Sequence, residues 1–225
     1  MEEIKVIEVN EDIFASNDKT ANETREKLKK SKTFMLNVMS SPGSGKTTLL
    51  SAVINKLKSE MKIIVFDVDI ETSLDATTVA KNTGVKAVQI HNGGLCHIDA
   101  DMTSRCLENI NLNDYDLIVL ENIGNLVCPA EFDTGACKNM MLLSVPEGDD
   151  KPLKYPLMFS VSDIVVFSKI DTKSIFDFDA KKCKERIKKL NKNAKIVSVS
   201  AKTGEGIDEL VSLLKQEIND WKKGE

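Results

Sequence analysis

The sequence predicts an α/β fold, with a mostly parallel sheet and helices on both faces. Two observations carry this. Short apolar runs recur at 34–39, 62–67, 86–90, 116–121, 140–145, 163–168 and 195–199, separated by segments of helical character. Strands that alternate with helices give parallel sheets covered on both sides. The segments of unusual chemistry also lie just after such runs. In open parallel sheets, ligands collect at the carboxyl ends of the strands. A chain of 225 residues suits one such domain with an ample core.

Composition narrows the classes. Apolar content of 41% and charged content of 29% are ordinary for a globular chain. A net charge of −4 gives no general pull toward nucleic acid or anionic membrane. No apolar run approaches the roughly 20 residues needed to span a bilayer. The start, Met1-Glu2-Glu3, has no signal-peptide core. The expected location is the cytoplasm, where the five cysteines read as free thiols or metal ligands rather than disulfides.

Residues 1–33 read as an N-terminal extension. The alternation Ile4, Val6, Ile7, Val9 suggests an edge strand. Residues 11–32 are Lys/Glu-rich, with apolar positions too sparse for a buried helix, and predict a surface helix. The main domain, 34–225, opens with the run Phe34–Met39. It leads into Ser40-Ser41-Pro42-Gly43-Ser44-Gly45-Lys46-Thr47-Thr48 and then an amphipathic stretch, 49–57. Strand, glycine-rich turn, Lys-Thr and helix is the layout of a P-loop NTPase. The loop from Pro42 to Thr48 would form a nest around phosphate, with the backbone N–H groups of Gly43 to Thr48 as donors, at the positive end of the helix. Lys46 would reach the β- and γ-phosphates, and the Thr47 hydroxyl would ligate Mg²⁺. One position departs from the pattern: Ser40 stands where a glycine is expected.

The second run leads into Asp67-Val68-Asp69. A carboxylate there can reach Mg²⁺, with Asp69 the first choice and Asp67, within the strand, the second. The fourth run ends in Glu121-Asn122-Ile123-Gly124. Glu121 could hold the metal or its water, and Gly124 could offer a backbone N–H to the γ-phosphate. Lys46, Asp69 and Glu121 are the expected catalytic set. No glutamine stands out to position water, so hydrolysis should be slow. After the sixth run comes Ser168-Lys169-Ile170-Asp171. An ionised Asp171 can accept both the N1–H and N2–H of guanine, with the Lys169 stem over the base. The backbone of Ser200-Ala201-Lys202 would hold guanine O6. These segments resemble the Asn-Lys-x-Asp and Ser-Ala-Lys motifs of GTPases. Ser168 replaces the Asn and loses an amide that normally ties the base loop to the phosphate loop. Glu147–Lys151 reads as a long surface loop.

Cys96-His97 follows the third run, and Cys128 lies seven residues after Glu121. Thiolates with imidazole suit Zn²⁺, Ni²⁺ or Cu. Three ligands leave an open sphere, to be closed by water or by a second subunit across a two-fold axis. Cys106, Cys137 and Cys183 read as structural, and His91 as a surface or hydrogen-bonding histidine.

Several strings appear in order: Ser41–Leu50, Thr72-Ser73-Leu74-Asp75-Ala76, Cys96-His97, Glu121–Ala130 and Glu147–Pro152. Together they resemble the HypB family, the GTPases that insert nickel into [NiFe]-hydrogenases. The resemblance covers residues 34–218, and its most specific part is Glu121–Ala130. It implies a P-loop GTPase that dimerises with nucleotide. It also implies nickel or zinc on Cys96, His97 and Cys128 at the dimer interface, a small zinc-containing nickel-binding partner, and delivery to the hydrogenase large subunit. Residues 1–30 hold neither Cys nor His, so no separate nickel store is expected. The urease nickel-accessory GTPases are less similar, because their metal motif places a Pro between Cys and His. A metal-independent regulatory GTPase and a small-molecule kinase are the remaining alternatives.

Overall fold

The computed structural model describes residues 10–68 and 74–224. Among these, seven strands form one sheet: β1 Phe34–Ser40, β2 Ile63–Val68, β3 Lys86–Ile90, β4 Leu117–Gly124, β5 Lys138–Ser144, β6 Ile164–Ser168 and β7 Lys195–Ser198. They correspond to the seven apolar runs. Every pairing is parallel, in the order β3-β2-β4-β1-β5-β6-β7, which puts β1 at the centre. The helices are α1 Asn10–Ser31, α2 Lys46–Leu57, α3 Leu74–Thr83, α4 Ala100–Leu107, α5 Cys128–Glu131, α6 Lys151–Lys154, α7 Pro156–Ser160, α8 Ala180–Leu190 and α9 Ile207–Lys223. No helix among the described residues is long and apolar enough to cross a membrane.

Because β1 is buried on both faces, it reads as an almost unbroken apolar run. Phe34, Leu36 and Val38 pack with Leu49, Leu50 and Val53 of α2 and Leu210 and Leu214 of α9. Met35 meets Leu28 of α1, and Met39 meets Phe159 of α7 and Ile187 of α8 on the opposite face. Each fully buried Leu or Phe contributes about 1.5–3 kcal/mol.

Asn37 interrupts β1, and it is buried. Asn122 Nδ2 on β4 donates to Asn37 Oδ1 (3.1 Å), and Asn37 Nδ2 donates to Asn139 Oδ1 on β5 (2.9 Å). Asn139 Nδ2 in turn donates to the Val161 carbonyl (3.1 Å). The polar ladder therefore crosses three strands with its amides paired, as buried polar groups require.

The structure corrects three expectations. α1 buries Ala21, Thr24 and Leu28, at helical spacing, against the sheet and α4. Its stripe is narrow and built of small residues, which made it look solvent-borne. β4 continues past Glu121 to Gly124, because Gly124 pairs with Ser40 beyond an irregularity in β1. Glu147 is not a loose loop residue. Its carboxylate accepts from the Ser144 N–H (2.8 Å) and Oγ (2.6 Å) and from Ser41 Oγ. The turn Val145–Glu147 and α6 follow from that brace. The edge strand expected before residue 10 lies outside the described residues, as do Asp69, Thr72 and Ser73.

Candidate nucleotide and thiol site

The chain leaves β1 at Ser40, turns through Ser41–Gly45 and enters α2 at Lys46. Gly45 caps the helix with φ of 95°, a left-handed conformation that a side chain resists. The first N–H groups of α2 are thereby free to face an anion. They border a cavity of about 720 Å³ that Asp67, Glu121 and Gly124 also line. Ser40 does not adopt a left-handed backbone, so a side chain fits. Its buried Oγ donates to the Ser41 carbonyl (2.8 Å) and accepts from Ser44 Oγ (2.6 Å) and Lys46 Nζ (3.0 Å). The hydroxyl that replaces glycine thus organises the loop and anchors its lysine. Burial pushes the Lys46 ammonium below its usual range, against the pull of Glu121, Asp75 and Asp67.

Thr47 Oγ1 donates to Glu121 Oε1 (2.9 Å), while Glu121 Oε2 is buried without a partner. Burial first, then Asp67, raises the Glu121 carboxyl to about 7, against Lys46 and the Thr47 bond. An orphaned carboxylate oxygen beside a threonine hydroxyl is a donor set that fits a hard divalent cation. Asp67 is buried and accepts from the Ala76 N–H (2.9 Å), so it fixes the start of α3. Gly124 lies against the phosphate loop: an added Cβ would stand 3.0 Å from Pro42 N, Cα and Cγ.

The segment after β6 is tied to the same loop. Ser168 Oγ donates to the Ser44 carbonyl (2.9 Å) and Lys169 Nζ to the Gly43 carbonyl (2.7 Å). The hydroxyl therefore supplies the link that the missing asparagine amide was expected to leave open. Lys169 turns through φ of 57°. Asp171 follows in a short turn, where its Oδ1 accepts from Ser200 Oγ (2.7 Å). That bond orients the carboxylate, which retains acceptor capacity for two N–H donors. Thr48, Lys169, Asp171, Ala201 and Lys202 surround a second cavity of about 330 Å³ beside the phosphate loop.

The thiols meet beyond the carboxyl ends of β3 and β4. The Cys96 thiol lies 2.6 Å from Cys128 Sγ, and His97 Nδ1 lies 3.8 Å from Cys96 Sγ. Asn125 Nδ2 donates to Cys128 Sγ (3.4 Å). The neighbouring Cys128 thiol raises the Cys96 pKa, and burial lowers that of His97, which favours a neutral imidazole. Among the described residues, no three or more His, Cys, Asp or Glu side chains are already arranged around a metal position. The two thiols and His97 are thus an open, partial donor set. Burial raises Cys137 and Cys183 to about 12, and Cys106 also above its usual range. Cys137 Sγ accepts from the Met35 N–H (3.2 Å), a structural role. His91 is exposed beside this region.

Sequence reasoning missed two contributors. Glu147 stands three residues after Ser144, the spacing of a capping box, and was legible on that ground. Phe132, whose ring stacks on His97 at 3.9 Å, carried no sequence signal.

Residues 34–198 match the family model described as CobW/HypB/UreG, nucleotide-binding domain. The hydrogenase maturation factor HypB of Azotobacter chroococcum mcd 1 is 40% identical over 95% of this chain and 70% of its own length. The probable hydrogenase maturation factor HypB of Methanocaldococcus jannaschii is 35% identical over 97% of this chain and 99% of its own. Among solved structures, HypB from Helicobacter pylori in complex with nickel superposes with a TM-score of 0.85 at 39% identity. That match covers 91% of this chain and 96% of the other. A LAO/AO transport system kinase, 17% identical with a TM-score of 0.52, shares the fold alone. On these matches, and on the P-loop architecture that accompanies them, the chain belongs to the HypB family of hydrogenase maturation factors.

Proposed function

We propose that this protein binds and slowly hydrolyses GTP and uses that cycle to carry nickel to the large subunit of a [NiFe]-hydrogenase. The observation that carries the proposal is the placement of Cys128. It lies four residues beyond Gly124, at the end of the strand that brings Glu121 to the phosphate loop, and its sulfur touches Cys96. One strand therefore connects the phosphate end of the site to the thiols. The nickel held by the Helicobacter relative supports the cargo.

In this reading Asp171, Lys169 and the Ser200–Lys202 backbone hold guanine. Lys46 and the α2 N-terminus hold the phosphates. Thr47, Glu121 and Asp69 would hold Mg²⁺, which would supply positive charge to offset the negative charge that develops on the phosphates. Lys46 leaves Ser40 for the phosphates, and the Gly124 N–H senses the γ-phosphate. Cys96, His97 and Cys128 take Ni²⁺, or Zn²⁺ in its absence. A second copy of the chain, joined when GTP is bound, completes the coordination sphere. Loss of the γ-phosphate loosens 121–130 and changes metal affinity, so one bistable element couples both sites. A small zinc-containing nickel-binding partner shares the delivery, and the cycle runs in the cytoplasm. The name of the Helicobacter pylori relative, a hydrogenase/urease maturation factor, makes urease the second reading for the recipient.

Nickel titration with and without a non-hydrolysable GTP analogue tests the scheme. Wild-type affinity should change with the nucleotide and collapse in Cys96→Ala and Cys128→Ala. Affinity indifferent to both nucleotide and substitutions rejects it.

A further inference from the structure

The sheet does not by itself bring the two thiols together. Cys96 follows β3 and Cys128 follows β4, and β2 lies between those strands. Two strand spacings amount to about 10 Å, yet the sulfurs stand 2.6 Å apart. The loops that carry them must therefore be drawn toward each other above the end of β2.

The N-terminal helix α1 touches both. Asn17 Oδ1 accepts from the Ala100 N–H (2.9 Å), and Asn17 Nδ2 donates to the Asp133 carbonyl (3.0 Å). Ala100 lies three residues after His97, and Asp133 five residues after Cys128. One planar amide thus spans the backbones of both thiol segments. Beside it, Phe14 of α1 packs on Phe132 with ring centroids 5.3 Å apart, and Phe132 stacks on His97. Arg25 forms an ion pair with Asp133 and donates Nε to the Ala136 carbonyl (3.0 Å). Gly135 fits so tightly beneath α1 that an added Cβ would stand 2.8 Å from Thr24 Cβ.

We infer that α1 is a clamp that sets the separation of Cys96 and Cys128, with Asn17 as the positioning residue for the metal they take. A metal ion bound by two thiolates at about 2.3 Å each needs both sulfurs held close. Loops free to part would have to be ordered on binding, which weakens affinity; a rigid amide removes that cost. Groups that orient metal ligands without touching the metal change affinity by about 10- to 100-fold when lost.

The inference rests on the thiol reading proposed above, and two measurements separate them. The first is Ni²⁺ affinity, followed by thiolate-to-nickel absorption. The second needs no metal: the rate at which diamide, itself reduced to the hydrazine, takes one hydrogen from each thiol and joins Cys96 to Cys128 as a disulfide. Asn17→Ala should weaken Ni²⁺ binding by roughly 10-fold or more and slow the cross-linking. Asn17→Asp, which keeps the acceptor for Ala100 and loses the donor to Asp133, should fall between. Phe14→Leu, which removes the ring from Phe132, serves if Asn17→Ala does not fold. Leu28→Ala is the control. It lowers the stability of the fold while keeping the Asn17 and Phe14 contacts, and should leave both readouts unchanged. If Asn17→Ala matches wild type in cross-linking rate, or falls only in step with Leu28→Ala, the clamp is rejected. If wild type binds no Ni²⁺ but cross-links at a rate set by Asn17, the clamp stands and the metal reading falls.

Discussion

Glu121 is where the site stores its electrostatic tension. Its carboxyl is buried, lies near Asp67, and titrates near 7 in the folded protein against an ordinary value of 4.5. A carboxyl with a raised folded pKa holds its proton longer than the unfolded chain does. Its contribution to stability is therefore full below about pH 4.5 and is lost as pH rises through 7. The loss amounts to about 3 kcal/mol. Urea unfolding of the metal- and nucleotide-free protein from pH 5 to 8 should show this decline, and Glu121→Gln should flatten it. Ser168 makes the next prediction. Its hydroxyl bond to the Ser44 carbonyl is one of two ties from this segment to the phosphate loop, the other being Lys169 to the Gly43 carbonyl. Ser168→Ala should weaken GDP binding by about 5- to 10-fold, the equivalent of one buried hydrogen bond, measured with a fluorescent analogue. Unchanged affinity would show that the remaining Lys169 contact with Gly43 suffices. The candidate site residues could be picked out because residue type and spacing carry their signal. The Ser40 hydroxyl could not, because its three partners depend on how the loop folds back.

At the scale of elements, β4 and the phosphate loop behave as one piece. Gly124→Ala would push a methyl group into Pro42, whose backbone cannot withdraw without moving the loop. The expected result is about 10-fold weaker GDP binding with a stability loss of about 1–3 kcal/mol; calorimetry on the same sample reads both. The seven strands were legible because parallel strands covered on both faces become short apolar runs. Their boundaries shifted where pairing decided, as with β4 beyond Glu121. α1 was the least legible element. A stripe of Ala21, Thr24 and Leu28 has helical period but little apolar volume. Its principal polar contacts join residue 17 to residues 100 and 133, a relation that no local pattern encodes.

For the molecule as a whole, the sheet is a frame that puts the phosphate loop, the Lys169–Asp171 turn and the thiol segments at the carboxyl ends of its strands. Burying α1 against that frame makes the N-terminal helix part of the same cooperative unit. Leu28→Ala should therefore lower the stability of the whole fold by about 2–5 kcal/mol, in one transition by both circular dichroism and Trp221 fluorescence. Two separate transitions would mean that α1 folds apart from the sheet. The asparagine ladder through Asn122, Asn37 and Asn139 bears on how such a sheet finds its alignment at all. A one-residue slip of β1 turns its faces inside out and is rejected by packing. A two-residue slip keeps Phe34, Leu36 and Val38 on their proper side, so hydrophobicity is blind to it. The ladder is not blind. It would break at Asn37 on both sides and leave amide groups buried without partners, at about 1–3 kcal/mol each. Three asparagines thus act as a proofreading mark in a core whose oily strands would otherwise tolerate the wrong alignment.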